Sequence, residues 1–425
     1  MAGRRTLVDV DNSAPTVQGD GRPALAVRPS RSASPKRVCM IAHSFYESDN
    51  RVLRYAEALA ERGDSVEVFA LRRTPEMPKE EVISGVKVCR IQDRFGKKQK
   101  SKSSFLWPLL RFLATASWWV MRSHRRQRYD LIHVHNIPDF LVFAAWYPKL
   151  TGTRVILDIH DVVPEFFMAK FGGSNHASVI WALKLIEKVS AAFSDHVIIA
   201  NHLWLEKITS RSAPLEKCSV FINHVDSRIF QPRPHGDGTW KPIVLFPGGL
   251  EWHQGVDIAI RAFKELLLRI PEAEFHIYGD GIMKPQLIEL VNDLGLTGSV
   301  RFFEPLALRQ IANVMAEAGL GVVAKRADSF GNEASSTKIM EFMLLGVPVV
   351  ASNTKIERYY LDDSVVRFFE SGNVPELAEA MYELLTNRQL RSGIVERAFA
   401  YASRNNWQSR KSEYFRLVDS LCIPK

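Results

Sequence analysis

Cysteine is scarce. The four in this 425-residue chain, Cys39, Cys89, Cys218 and Cys422, lie too far apart for a CxxC pair or a zinc-ligand spacing. A reduced, cytosolic compartment fits that usage. Long apolar runs are also missing: the best candidate, Phe105 to Met121, stops at 17 residues and contains Pro108 and Arg111, short of a spanning helix. The first 36 residues are rich in Pro, Ser, Arg and Gly and have no apolar core, so 1–36 reads as a disordered basic leader and not as a secretory signal. Acid is absent from Arg94 to Arg128, which holds ten basic residues. That segment exceeds the net charge of +9 and leaves the globular remainder mildly acidic, which excludes a generally basic nucleic-acid coat protein.

The hydrophobic and charged fractions, 46% and 24%, are those of an ordinary globular protein, and the length implies two domains. From Arg37 onward, short apolar β-branched runs alternate with helical patterns: Val38–Ala42, Val66–Leu71, Val86–Ile91, Leu131–Val134, Val155–Ile159, Val197–Ala200 and Val220–Ile222. A Pro- and Gly-containing stretch, His224 to Pro242, interrupts them. The pattern resumes at Ile243–Phe246, Glu274–Tyr278, Val300–Phe303, Leu320–Ala324, Val347–Ala351 and Val365–Phe369. Runs apolar on both faces mark parallel sheets covered by helices, so the expected architecture is α/β, two tandem Rossmann-like doubly wound domains facing across a cleft. The expected boundaries are 37–225 and 226–405, followed by 406–425 as a C-terminal helix.

Ligands of such folds bind beyond the carboxyl ends of the strands. The most informative loop there is Phe330 to Ser352, FGNEASSTKIMEFMLLGVPVVAS, with Glu333 and Glu341 separated by seven residues. Ser335, Ser336 and Thr337 offer N-cap hydroxyls, so a helix is expected to start among them and turn its N–H groups toward an anion such as a diphosphate. An unbroken helix would separate the two Glu by about 12 Å, too far for a carboxylate pair acting on one bond. Gripping hydroxyls at opposite ends of an extended ligand is the better use. His133 and His135 alternate like a metal pair, but the sequence offers no third ligand nearby, and no metal is assigned. Asp9-Val10-Asp11 resembles a metal-binding DxD and falls in the leader, where it is set aside.

Taken together, the Glu-x7-Glu stretch, FPGGLEWHQG, IYGDG, NHVDSRIFQPRP and LDIHD resemble a GT-B glycosyltransferase of the retaining family 4 type, from Lys36 to the C-terminus. The resemblance implies transfer of a sugar from a UDP- or GDP-sugar with retention and without a metal or other cofactor. It places Glu341 on the donor ribose, Glu333 on the sugar hydroxyls, Gly279, Asp280 and Gly281 beside the base, and His160 near the reaction centre. Glu333 and His160 are thus the candidate catalytic residues. It also implies that the terminal helix crosses back to the first domain. Such proteins usually carry an Arg after the glycine of the Gly248 loop and a Lys five residues further on; here those places hold Gly249 and Gln254. Lys325, Arg326 or Lys338, with the helix start at Ser335–Thr337, are the expected substitutes as diphosphate partners. The first loop, AHSFYESDN, lacks the usual glycines, and His43, Ser44 and Asn50 are expected on the acceptor side.

The basic segment has its own reading. From Pro108, taken as a helix start, Leu109, Phe112, Leu113, Ala116, Trp119 and Val120 recur at helical spacing, and Arg111, Trp118, Arg122 and Arg125 mark another face. One face would pack on the sheet while the other meets an anionic membrane surface. The expected protein is a peripheral enzyme on the cytoplasmic face, acting on a lipid-linked saccharide in polysaccharide or glycolipid biosynthesis. No nucleic-acid partner is expected. The alternatives are a GT-B sugar-nucleotide epimerase, a soluble small-molecule glycosyltransferase, or an inert membrane-bound partner of a polysaccharide assembly complex.

Overall fold

The computed structural model describes residues 34–94, 102–171, 177–232 and 242–422. Residues 1–33 of the leader, Lys97, Lys98 and Lys100 of the basic segment, and 233–241 of the interrupting stretch lie outside them.

The apolar runs form two sheets. The first consists of β1 (Arg37–Ala42), β2 (Ser65–Arg72), β3 (Glu80–Ile83), β4 (Val86–Asp93), β5 (Leu131–His135), β6 (Arg154–Ile159), β7 (His196–Ile199) and β8 (Cys218–Val220), in the order β3-β4-β2-β1-β5-β6-β7-β8. The second consists of β9 (Ile243–Pro247), β10 (Glu274–Tyr278), β11 (Val300–Phe303), β12 (Leu320–Val323), β13 (Val349–Ser352) and β14 (Arg367–Phe369), in the order β11-β10-β9-β12-β13-β14. All described strand pairs are parallel except β3 with β4.

The β3 hairpin is absent from the apolar pattern. Glu80–Ile83 is too polar and exposed to look like a sheet strand, with Val82 71% exposed. Its legible signal is Ser84-Gly85, both at positive φ, the backbone of a tight hairpin turn.

Each sheet carries a core on both faces, as alternating side chains require. On β1, Cys39 and Ile41 join a cluster with Phe112, Ala116 and Val120, while Val38 and Met40 face Tyr55, Leu59, Trp407 and Tyr414. The basic-segment helix runs Lys102–Arg126, so Pro108 lies inside it and not at its start. A proline that near the N-terminus removes a single ladder bond, and helix packing on the sheet outweighs that loss. Phe112, Ala116 and Val120 are buried, while Arg111, Trp118, Arg122 and Arg125 are exposed.

The chain leaves β1 for β2 on one side and returns to β5 on the other; β9 stands likewise between β10 and β12. These switch points open the crevices in which doubly wound sheets bind ligands. The helix Trp407–Leu421 then returns to the first half: the Tyr414 ring packs tilted against Tyr55 with centroids 4.3 Å apart, and its hydroxyl meets His133 Nδ1 at 2.9 Å. Trp407 is 2% exposed against Tyr55. Trp407→Ala therefore costs about 3–5 kcal/mol, expected as a lower denaturant midpoint at unchanged slope; a midpoint equal to wild type would contradict this packing.

Candidate active site

The carboxyl ends of the second sheet build the first part of the site. Gly248 follows β9 with φ +136°, and Gly279 follows β10 with a Cβ position only 1.9 Å from Gly248 O. The two loops are laced together by Gly248 N to Tyr278 O at 2.8 Å and Leu250 N to Asp280 O at 3.0 Å. Any side chain at Gly279 would drive them apart. They frame a cavity of about 400 Å³ with Gly249, Tyr278, Asp280, Leu306, Thr337, Lys338 and Glu341.

Only part of the Glu-x7-Glu stretch is helical. The helix spans Thr337–Leu345, while Glu333 lies in the turn Phe330–Ala334. The continuous-helix separation therefore does not apply. Ser336 stands at the N-cap, but its hydroxyl caps nothing and is buried without a partner. Its backbone N–H instead donates to Glu357 Oε1 at 2.9 Å. Glu341 reaches the cavity, where burial raises its pKa against the opposing pull of Lys338. Glu333 does not line this cavity; its carboxylate pairs with Lys207 of the first half, and its carbonyl accepts from Asn201 Nδ2 at 2.9 Å.

The three candidate cations separate. Lys325 is buried, donating to Glu357 Oε1 at 2.9 Å and to the Ala334 carbonyl. Arg326 forks onto Asp257 at 2.9 and 2.6 Å and lies over the Trp252 ring. Both are committed to ion pairs away from the cavity, contrary to the expectation that either would face a diphosphate. Lys338 lines the cavity beside Gly248, and its Nζ donates to Gln254 Oε1 at 3.0 Å. Burial pushes its ammonium down to about 8, partly offset by Glu341.

The first half contributes a second cavity of about 520 Å³, lined by His43, Ser44, Asn50, Arg51 and His160 together with Ala334 and Ser335 from the other half. Ser44 Oγ donates to Asp49, which caps the helix Asn50–Arg62. Burial lowers His43 to about 4, so it is neutral, edge-on to Phe112. A small cavity shares Asn50 and Asn223 with this lining and Thr337 and Glu341 with that of the Gly248 cavity. Of the expected residues, Gly248, Gly249, Gly279, Asp280, Thr337, Lys338 and Glu341 line one cavity and His43, Ser44, Asn50, His160 and Ser335 the other.

Below the cavity of the first half lies a buried polar network that the sequence does not reveal. Arg51 forks onto Asp158, Nε to Oδ2 at 2.9 Å and Nη2 to Oδ1 at 2.8 Å. His133, His135 and His160 approach Asp158 Oδ2 at 3.5, 3.2 and 3.2 Å. Asp158 is thus the third group near the histidine pair that local spacing does not supply. It comes from the neighbouring strand β6, and Arg51 already occupies both of its oxygens. The partners of His160 Nε2, just past the end of the strand, are Asp158 Oδ2 and His135 Nδ1 rather than the adjacent Asp161.

Two doubly wound halves that face each other across such a cleft, with a glycine loop and a helix N-terminus at the second switch point, define the GT-B class of glycosyltransferase. Residues 48–224 match the model described as glycosyl transferase 4-like domain, and residues 227–401 match glycosyl transferases group 1; the chain belongs to the group 1 glycosyltransferase family. Among curated proteins it is 26% identical to α-D-kanosaminyltransferase of Streptomyces kanamyceticus, over 66% of this chain and 75% of that protein. It is 24% identical to phosphatidyl-myo-inositol mannosyltransferase of Mycolicibacterium smegmatis, over 88% of this chain and 89% of that one. The fold is shared with sucrose-phosphate synthase from Thermosynechococcus elongatus (TM-score 0.74, 17% identity, 91% of this chain and 99% of that one). It is also shared with Anabaena Alr3699/HepE in complex with UDP and glucose (TM-score 0.69, 17% identity, 91% and 100%).

The two loop glycines make opposite demands. A Cβ at Gly248 would meet Lys338 Cε at 2.5 Å on a left-handed backbone, whereas one at Gly249 meets open space. Gly248→Ala is expected to cost more than about 1 kcal/mol and Gly249→Ala less than about 0.5 kcal/mol, read by denaturant unfolding. Equal costs would show that the loop does not press on Lys338.

Proposed function

We propose that this glycosyltransferase moves a sugar, with retention and without a metal cofactor, from a UDP- or GDP-sugar to a lipid-linked saccharide acceptor. The observation that carries the donor assignment is the cavity in which the Gly248 loop, Lys338, Glu341 and the start of the helix Thr337–Leu345 converge. In this reading Glu341 accepts from the ribose hydroxyls and the Gly279–Gly281 turn flanks the base. The diphosphate lies between the Gly248–Gly249 backbone and Lys338. The acceptor hydroxyl attacks the anomeric carbon as the bond to the diphosphate oxygen breaks, and that oxygen takes the hydroxyl proton. Negative charge grows on the leaving group, so donors already aimed at it lower the barrier most. Lys338 and the helix N-terminus are those donors, in place of the Arg and Lys replaced by Gly249 and Gln254. Lys325 and Arg326 act structurally. Glu333 meets the sugar hydroxyls only after yielding part of its pairing with Lys207. His43, Ser44, Asn50 and His160 line the acceptor side.

Two relatives support a lipid acceptor by their names. One is the phosphatidyl-myo-inositol mannosyltransferase. The other is a component of the human phosphatidylinositol N-acetylglucosaminyltransferase, 23% identical over 84% of this chain and 70% of that protein. The outer face of the helix Lys102–Arg126 supports peripheral attachment to the cytoplasmic leaflet. It exposes Leu106, Trp107, Leu110 and Trp118 beside Arg111, Arg122 and Arg125. The helix Ala177–Phe193 packs on the same segment, Asp139–Ala145, and exposes Trp181, Leu185, Lys184 and Lys188. No helix among the described residues is long and apolar enough to cross a membrane. Each basic residue near an anionic surface contributes on the order of 1 kcal/mol.

Release of UDP or GDP from a panel of sugar nucleotides, with membrane lipid extract as acceptor, tests the reaction. Release with none of them would reject it. Lys338→Ala is expected to lower turnover on the order of 100-fold with unfolding unchanged, and wild-type turnover would exclude Lys338 from the diphosphate site. Because the Lys338 ammonium is charged below about 8 and neutral above, kcat/KM for the donor should fall as pH rises through that value. A flat profile to pH 9.5 in the wild type would contradict the assignment. Sedimentation with anionic liposomes should be strong at low salt and weak at high salt; no binding at low salt would refute attachment.

A further inference from the structure

We infer that Asp158 is the positioning residue of His160, fixing its ring so that Nδ1 faces the cleft as a hydrogen-bond acceptor. The inference rests on the reading of His160 as a group at the reaction centre. His160 leaves the carboxyl end of β6 and lines the cavity of the first half, with 19% of its side chain exposed. Its backbone is fixed by the amide donating to Asn136 Oδ1 at 2.8 Å. Its Nε2 lies 3.2 Å from Asp158 Oδ2 and 3.1 Å from His135 Nδ1, and among the described residues Nδ1 has no hydrogen-bond partner. A ring nitrogen held against a carboxylate carries the proton, and the tautomer at the other nitrogen follows. Nδ1 is therefore the lone-pair end, suited to accept from a sugar or acceptor hydroxyl.

Asp158 can hold this role because it is kept ionised. The group is fully buried, which alone would raise its pKa. The Arg51 fork, together with His160, His133 and His135, overrides burial and holds the carboxyl well below its ordinary value. Of the neighbouring rings, His133 is anchored through Nδ1, which meets the Tyr414 hydroxyl at 2.9 Å, while His135 Nδ1 lies 3.2 Å from Asp158 Oδ2 and 3.1 Å from His160 Nε2, so both ring nitrogens bear on the one carboxylate oxygen. Asp49, a half-buried carboxylate near His160, is occupied by Ser44 Oγ and the Val52 amide. Asp158 is thus the fixed acceptor against which His160 is set. It is not a lining residue of either cavity, so it acts through His160.

The test combines spectroscopy with kinetics on the full chain. In ¹⁵N-histidine-labelled wild-type protein, with the His160 signals identified by their loss in His160→Asn, the proton is expected on Nε2 and the lone pair on Nδ1. A proton on Nδ1 overturns the inference with no variant needed. Asp158→Asn puts an amide donor where acceptors are required. It is expected to abolish that signature and to lower kcat on the order of 100-fold, the cost of a misplaced reacting group, while donor KM stays within about twofold. Asp158→Asn with the wild-type signature and kcat overturns the inference. If Asp158→Asn does not fold, Arg51→Lys, which keeps a charge but loses the fork, is expected to shift the His160 signature in the same direction; an unmoved signature counts against it. Wild-type turnover in His160→Asn would remove His160 from the reaction centre while leaving its positioning by Asp158 as measured.

Discussion

The Arg51–Asp158 pair is the constraint on which the first half depends. Both side chains are almost wholly removed from water, at 4% and 0% exposure, and a buried pair recovers its desolvation cost only when geometry and further hydrogen bonds are good. Here a bidentate fork and the His160 hydrogen bond supply them, while among the described residues Arg51 Nη1 is left without a partner. The pair joins the first residues of the helix Asn50–Arg62 to the end of β6, which fixes the loop carrying His43 and Ser44 relative to the loop carrying His160. Through His133 and Tyr414 it also reaches the helix that returns from the far end of the chain. One charged centre therefore connects the cleft floor to the C-terminal clasp.

The second half is built differently, with backbone brought close to its cavity and few charges in the wall. This rests on contact between two glycine loops, with Gly279 so near Gly248 O that no side chain fits. The charge inventory is then set by pairing. Lys325 and Arg326 are neutralised by Glu357 and Asp257, whereas Lys338 meets a neutral amide, Gln254, and keeps its ammonium toward the cavity. The Gln254 that departs from the family pattern thus has a definite structural role as the acceptor that holds Lys338. Burial also makes that ammonium easier to deprotonate than a surface lysine.

The two halves meet in a way that mixes their functions. Ala334 and Ser335 border the cavity of the first half, and Glu333 pairs with Lys207 from across the cleft. The described basic residues of the segment Arg94–Arg128 line neither cavity of the cleft. Arg111, Arg122 and Arg125 lie on the exposed face of the helix Lys102–Arg126, where Arg122 lies over Trp118 at 5.4 Å. Charge and apolar surface are thus displayed on the outside of the half that forms the first cavity, away from the residues that line the cleft.

Most of the fold is legible in the sequence because strands buried on both faces leave continuous apolar runs, and these mark the described strands other than β3 and the half-buried β8, which meets the expected run Val220–Ile222 only at Val220. The inner stripe of the Lys102–Arg126 helix is legible through its period, and the helix start at Ser336–Thr337 through its polar cluster and Gly346 stop. What fails to show is of another kind. The β3 hairpin is an edge strand whose polar residues carry no burial signal. Pro108 looks like a helix start because local backbone chemistry cannot anticipate packing on a sheet. Lys325, Arg326 and Lys338 look equivalent in sequence; only the positions of Glu357, Asp257 and Gln254 distinguish them. Asp158 reads as one more residue of an apolar strand. The sequence by itself determined which segments pair and which loops face the cleft, because periodicity is local. Which charges are spent on one another and which are left for a ligand was decided by tertiary structure, because an ion pair depends on distance in space between residues such as Arg51 and Asp158, 107 positions apart in the chain.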